Sequence, residues 1–270
     1  MKITFIGGGN MASALLAGLV GKLAAPADIH VVDPSPEALE RLAASFGVGT
    51  APRIDQRVAA ADVVVLAVKP QQMREVAAQL LPHLARQPLV LSIAAGIRGA
   101  DLSRWLGGYR AIVRCMPNTP ALIGMGITGM VAMAGASEQQ RSAADSILRA
   151  VGTTVWLDDE ALIDPVTAVS GSGPAYVFYF LEAMQQAATE LGLSAQQGRE
   201  LALATFRGAA QLAVQSEEPV EVLRQRVTSK GGTTHAAIAS MEQAGVKQAI
   251  VAAMKAAAAR GRELGDELGA

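Results

Sequence analysis

Aromatic side chains are scarce in this chain of 270 residues: five Phe, three Tyr and two Trp make up 4% of it. A core built from such a sequence is filled by alanine and aliphatic side chains, which favours closely packed helices. Cysteine is nearly absent. Cys115 stands alone, so no internal disulfide can form, and a reducing compartment, the cytoplasm, is expected. There are only three histidines, and no Cys/His cluster has the spacing of a metal site. Neither sign of charge is in surplus, with 23 Lys and Arg against 24 Asp and Glu. That excludes the basic footprint of a nucleic-acid-binding protein. No stretch reaches the ~18 uninterrupted apolar residues of a membrane-spanning helix. The apolar run at 3–6 is too short for a secretion signal and leads straight into glycines.

What is present is a hydrophobic fraction of 51% in a chain long enough for one large domain or two modest ones. The first half alternates β-rich and helical runs. Strands are expected over 2–6, 29–32, 62–68, 89–93, 111–116, 127–132 and 153–157, with helices over 12–21, 36–46, 71–83, 99–105 and 137–151. The run ADVVVLAVKP around 62–68 is nearly all apolar, as in a strand buried on both faces. This rhythm predicts an α/β fold: an N-terminal Rossmann-like, doubly wound parallel sheet. Beyond Asp158 and Asp159 no strand is expected. Helices are read over 165–191, 194–215, 219–227, 233–244 and 246–268, punctuated by Gly192, Pro219, Gly231, Gly232 and Gly245. The domains are therefore placed at 1–159 and 160–270. The all-α second domain is too apolar for an isolated bundle, so it is expected to pack against a second copy of itself.

The first strand runs into Gly7-Gly8-Gly9-Asn10-Met11-Ala12, a G-x-G-x-x-A pattern between a strand and a helix. Gly7 allows the tight turn, Gly9 lets backbone approach a pyrophosphate, and Ala12 lets helix and strand pack closely. Asp33 ends the second strand, about 20 residues on, where an acid holds a ribose 2′-hydroxyl. It reads equally well as a turn or capping acid before Pro34. Ser35 and Arg41 could serve a 2′-phosphate, so the choice between NADH and NADPH stays open. Val68, Lys69 and Pro70 close the third long strand, Ala94, Ala95 and Gly96 the fourth, and Asn118 follows the fifth. Ligands bind beyond the carboxyl ends of such strands. Each loop read alone is also an ordinary turn; together they fall on one edge of one sheet.

A second candidate site lies far along the chain, at 226–235. Two glycines and several hydroxyl residues precede a helical run. Such a turn exposes unpaired backbone N–H groups at the positive end of a helix dipole, which suits a small anion. A nucleotide site and an anion site in one chain point to an enzyme with two substrates. His30 and His83 read as structural or exposed, His235 as a capping or packing residue, and Cys115 as buried and inert.

Six motifs occur in order: FIGGGNMA (5–12), AVKPQ (67–71), SIAAGI (92–97), RCMPNTP (114–120), SGSGPAY (170–176) and VTSKGGTTHAAI (227–238). In this order and spacing the chain resembles the pyrroline-5-carboxylate reductase family over essentially its whole length. The resemblance implies a Rossmann domain followed by a helical dimerisation domain, and hydride transfer from NADPH or NADH to a cyclic imine to give L-proline. It implies that Ser229, Gly231, Gly232, Thr233 and Thr234 hold or flank the substrate carboxylate, and that Thr234 also hydrogen-bonds the ring nitrogen. It implies a homodimer, with a decamer left open because dimers of this family often assemble further. Lys230 departs from the family pattern, standing where many members carry proline.

Two other readings compete. A β-hydroxyacid dehydrogenase shares the layout, but that class uses a lysine on a long helix of the second domain, and the helix after Pro174 has none. A non-catalytic nucleotide sensor would not need the 229–234 turn.

Overall fold

The computed structural model describes all of residues 1–270. Chain order begins β1 (Ile3–Ile6), α1 (Asn10–Leu19), β2 (Ile29–Val32), α2 (Pro36–Phe46), β3 (Gly49–Ala51) and β4 (Val63–Leu66). It continues with α3 (Met73–Leu80), β5 (Leu89–Ser92), α4 (Gly99–Trp105), β6 (Ile112–Met116), β7 (Gly126–Ala132), α5 (Glu138–Arg149) and β8 (Gly152–Trp156). From there on every element is helical: α6 (Ile163–Val166), α7 (Gly173–Glu190), α8 (Ala195–Gln215), α9 (Val220–Arg226), α10 (Thr233–Gln243) and α11 (Val246–Gly269). The chain forms two compact units, Met1–Gly173 with Ala256–Ala270, and Pro174–Lys255.

In the first unit the eight strands form one sheet in the order β3-β2-β1-β4-β5-β6-β7-β8. Alternate side chains go to opposite faces, and both faces are buried. Val63 and Val65 join Ile3, Phe5, Leu89 and Leu91 in a layer completed by α1, α2 and α5. Val64 and Leu66 join Val90 and Ile112 in a layer completed by α3 and α4. This two-sided burial explains the unbroken apolar runs.

The expected Rossmann-like sheet is present, with three local differences. β7 runs antiparallel to β6, pairing Cys115 with Met130, because residues 117–125 between them are too few for a parallel crossover, which takes about a dozen or more. β3 is a half-buried three-residue edge strand with the sequence GTA, too short and too weakly patterned to be expected. The helix expected over 165–191 is interrupted by a π turn, Thr167–Gly171, closed by Ser172 N–H donating to Thr167 O at 2.8 Å. Side chains from the end of β6 meet this turn. A Cβ on Gly171 would lie 2.7 Å from Met116 Cε, and Asn118 Nδ2 donates to Ser170 O at 3.2 Å.

The second unit is almost all helix, with Phe180 and Phe206 meeting edge to face at 5.4 Å. Only Leu181, Gly198 and Ala202 are buried in it. Leu191, Val214 and Tyr179 are 83%, 80% and 76% exposed, and an apolar groove of about 630 Å³ opens beside Tyr179, Phe206 and Met254. A fold that leaves this much apolar surface uncovered is built to meet another surface. No helix is long and apolar enough to cross a membrane.

Candidate active site

The carboxyl ends of β1, β2, β4, β5 and β6 lie on one edge, because these strands run parallel. The order reverses between β1 and β4, which creates the crevice where such sheets bind dinucleotides. Gly7 occupies it at φ +106°, and a Cβ there would lie 2.4 Å from Ala67 O. Both the positive φ and the approach to the backbone after β4 require glycine.

Gly9 is the residue before α1 and is exposed, and a Cβ on it would meet nothing within 4 Å. No side chain caps α1. The amides of Asn10, Met11 and Ala12 therefore open the helix without a side-chain acceptor, while Ser13 N–H already donates to Gly9 O at 2.9 Å. α2, α5 and α8 contrast with this, each capped by a serine: Ser35, Ser137 and Ser194. The uncapped N-terminus of α1 and the open space over Gly9 fit a pyrophosphate.

Asp33 follows directly on β2 with both oxygens engaged. Oδ2 accepts from Gly8 N–H at 2.7 Å and Oδ1 from Ser35 N–H at 2.8 Å. Ser35 Oγ caps α2 through Ala38 N–H at 3.2 Å and donates to Glu37 Oε2 at 2.7 Å. Arg41 Nη2 donates to Gly8 O at 3.3 Å, so a guanidinium stands beside the glycine turn.

Val68 is half-buried, Lys69 is exposed, and Pro70 opens a short 3-10 turn. Ala94 is buried, Ala95 is half-buried, and Gly96 adopts φ +73°. Asn118 is buried with its amide committed within the unit, Nδ2 to Ser170 O and Oδ1 from Ile127 N–H at 3.0 Å. It ties the end of β6 to the start of β7 and to the π turn.

Arg114 stands in the RCMPNTP motif, but its buried pairing went unread in the sequence, although an arginine inside an apolar strand is itself a signal of a buried pair. It is 5% exposed and pairs with Glu160. Glu160 Oε1 also accepts from Gly99 N–H, the first amide of α4, at 2.6 Å. Burial pushes the Cys115 thiol well above its usual range, so it stays protonated and inert. Burial also lowers the pKa of His30, against a raising influence from Asp55 and with a further lowering one from Arg57. His30 lies in β2, paired with Gly49 of the edge strand.

In the helical unit, residues 229–232 form a tight turn in which Gly232 N–H donates to Ser229 O at 3.0 Å and Gly231 has φ +77°. A positive φ at the third position marks a type II turn, whose second position favours proline. Lys230 occupies that second position with a negative φ. Gly232 is the residue before α10, and no side chain caps this helix. Thr233 and Thr234 open it, and both are exposed, as is Ser229. By contrast, the Thr228 hydroxyl is turned back onto Arg224 O at 2.6 Å. The turn thus presents helix N-terminal amides beside exposed hydroxyls, an arrangement that receives a carboxylate.

Comparison with known proteins agrees with both halves. Residues 160–264 match a family model described as pyrroline-5-carboxylate reductase dimerisation. Residues 2–96 match one described as NADP oxidoreductase, coenzyme F420-dependent. The pyrroline-5-carboxylate reductase of Pseudomonas aeruginosa is 49% identical over 269 residues, 99% of this chain and 98% of that one. A solved pyrroline-5-carboxylate reductase from Coxiella burnetii superposes with a TM-score of 0.91 at 42% identity, covering 97% of this chain and 98% of the other. A solved Plasmodium falciparum pyrroline carboxylate reductase with NADP bound gives 0.88 at 27% identity, covering 98% of each. With near-complete coverage at such identity, and with the glycine turn and the 229–234 turn both intact, this chain belongs to the pyrroline-5-carboxylate reductase family.

Proposed function

We propose that this chain reduces the C=N bond of 1-pyrroline-5-carboxylate with NAD(P)H to give L-proline, the last step of proline biosynthesis. The observation that carries the reading is the 229–234 turn, whose uncapped α10 amides and exposed hydroxyls match a substrate with one carboxylate and one ring nitrogen.

Thr233 and Thr234 N–H donate to the substrate carboxylate, with Ser229 beside it. Gly231 and Gly232 keep side chains out of the way. The Thr234 hydroxyl hydrogen-bonds the ring nitrogen and is the catalytic residue. The substrate enters as a protonated iminium, so two electrons arrive as hydride at the imine carbon and the C=N electron pair moves to nitrogen. No strong side-chain acid is needed, and most of the rate comes from holding the reacting carbon in place.

Gly7, Gly9, Asn10, Met11 and Ala12 hold the pyrophosphate. Val68, Lys69, Pro70, Ala94, Ala95 and Gly96 border the rest of the coenzyme, and Asn118 braces the same edge. Bound there, a reduced nicotinamide supplies the hydride. NADPH is preferred, because Asp33 is engaged in the turn while Arg41 and Ser35 stand next to it. The functional division falls at 1–159 and 160–270. The working unit is a homodimer formed through the helical region and found in the cytoplasm; a decamer would be a further assembly of such dimers.

The absence of lysine from α7 argues against hydroxyacid chemistry. The test is product identity: the purified chain with NADPH and the imine should release L-proline, and Thr234→Ala should lower kcat by about 100-fold with the fold intact. Near-normal turnover in that variant would remove the assigned role of Thr234.

A further inference from the structure

The loop between β5 and α4, residues 93–98, is anchored by the buried Ile97, but its tip at residues 94–96 is built of small residues. Ala94, Ala95 and Gly96 offer no side chain longer than a methyl group, and Gly96 sits at φ +73°. At this tip, support comes from the last two turns of α11, within the same compact unit. A Cβ on Gly96 would lie 3.3 Å from both Leu264 Cβ and Leu268 Cδ1. Leu268 is itself packed against the apolar layer of α3 and α4.

Three arginines surround this apolar contact, and each meets a backbone carbonyl near the end of α11. Arg98 Nη2 donates to Arg262 O at 3.2 Å and lies 2.7 Å from Asp266 Oδ1. Arg104 donates to Gly269 O. Arg74 Nη1 donates to Ala270 O at 3.2 Å. The Gly269 and Ala270 carbonyls lie past the last intrahelical donor, and the dipole there is negative, so guanidinium groups suit both needs. Gly265 lets Arg98 lie close, since a Cβ there would be 3.0 Å from Arg98 Nε. Where the loop enters α4, Gly99 N–H is held by Glu160. The tip and the α4 end of the loop are thus both held.

We propose that the end of α11 is a brace for the coenzyme loop, with Leu268 and Arg98 as positioning residues that set the affinity for the nicotinamide dinucleotide through Ala94–Gly96. This rests on reading residues 94–96 as coenzyme-facing. A brace of this kind acts on one reactant and leaves the other alone, which a general loss of stability would not do.

The experiment is a fluorescence titration of purified variants with NADPH, at a temperature well below every melting point, alongside steady-state kinetics. Leu268→Asp should weaken NADPH binding about tenfold and raise its KM equally, with the KM for the imine within about twofold; Leu268→Met should restore binding. Folded Leu268→Asp with an NADPH Kd within twofold of the unaltered chain would overturn the brace. If that variant does not fold, Arg98→Ala carries the test with an expected weakening of about threefold, and an unchanged Kd there overturns it as well. Failure of the unaltered chain to bind any nicotinamide dinucleotide would overturn the underlying reading and the brace together. Normal binding by both the unaltered chain and the variants would overturn the brace alone.

Discussion

The Asp33 carboxylate buckles the glycine turn to the end of β2: its Oδ2 accepts from Gly8 N–H at 2.7 Å while Oδ1 accepts from Ser35 N–H at 2.8 Å. An acid in this position is commonly a coenzyme discriminator. Here it holds the glycine turn itself. Asp33→Ala should therefore weaken NADH and NADPH alike, by about tenfold, because a lost hydrogen bond to a charged group is worth about 1.5–3 kcal/mol. The ratio between the two coenzymes should change little. Arg41→Ala should weaken NADPH selectively. Parallel titrations with both coenzymes check this, and an Asp33→Ala variant that shifts only the NADH/NADPH ratio would show a direct ribose contact instead.

Lys230 takes the turn position that favours proline, ahead of Gly231 at φ +77°. Lys230→Pro should raise stability by about 0.4–1 kcal/mol through the unfolded chain and leave kcat/KM within about threefold. Gly231→Ala should do the opposite, costing stability and raising the KM for the imine, because alanine resists positive φ. Denaturant melts with steady-state kinetics separate the two effects. A large activity loss in Lys230→Pro would assign the ammonium group a role in binding the carboxylate.

His30 lies buried in β2 with Asp55 Oδ1 at 3.3 Å from Nε2 but out of hydrogen-bond alignment. Burial lowers its pKa in the fold, so the unfolded chain takes up the proton more readily. The neutral ring's contribution to stability is then complete above about pH 6.5 and is lost as pH falls below it towards the lowered folded value. The melting temperature should fall between pH 7.5 and 5.5 more steeply in the unaltered chain than in His30→Gln. Equal slopes would show that the ring is protonated alike in both states.

Tyr179 is 76% exposed beside the apolar groove of the helical unit. Tyr179→Asp should shift the chain from dimer towards monomer in light scattering and reduce activity with it. A variant that remains dimeric would place the interface elsewhere on the unit.

Much of this was legible in the sequence, because periodicity and glycine spacing are local signals. The strand limits at 29–32, the helix limits at 36–46 and 99–105, and the turn at 7–12 follow from residues close in the chain. What escaped depends on contacts distant in sequence. The direction of β7 is set by the short connection and by pairing with β6. The π turn at 167–171 is met by Met116 and Asn118, some 50 residues earlier. In the sequence Arg114 reads only as the start of the RCMPNTP motif, because its partner Glu160 lies 46 residues further on. Asp33 was ambiguous because its partner, Gly8, precedes it by a whole βα unit.

The most direct measurement is loss of absorbance at 340 nm when the purified chain is mixed with 1-pyrroline-5-carboxylate and NADPH, with NADH in parallel. The account predicts rapid oxidation, faster with NADPH, with L-proline formed in equal amount. Tight coenzyme binding with no oxidation would contradict it and return attention to a sensing role or to another substrate.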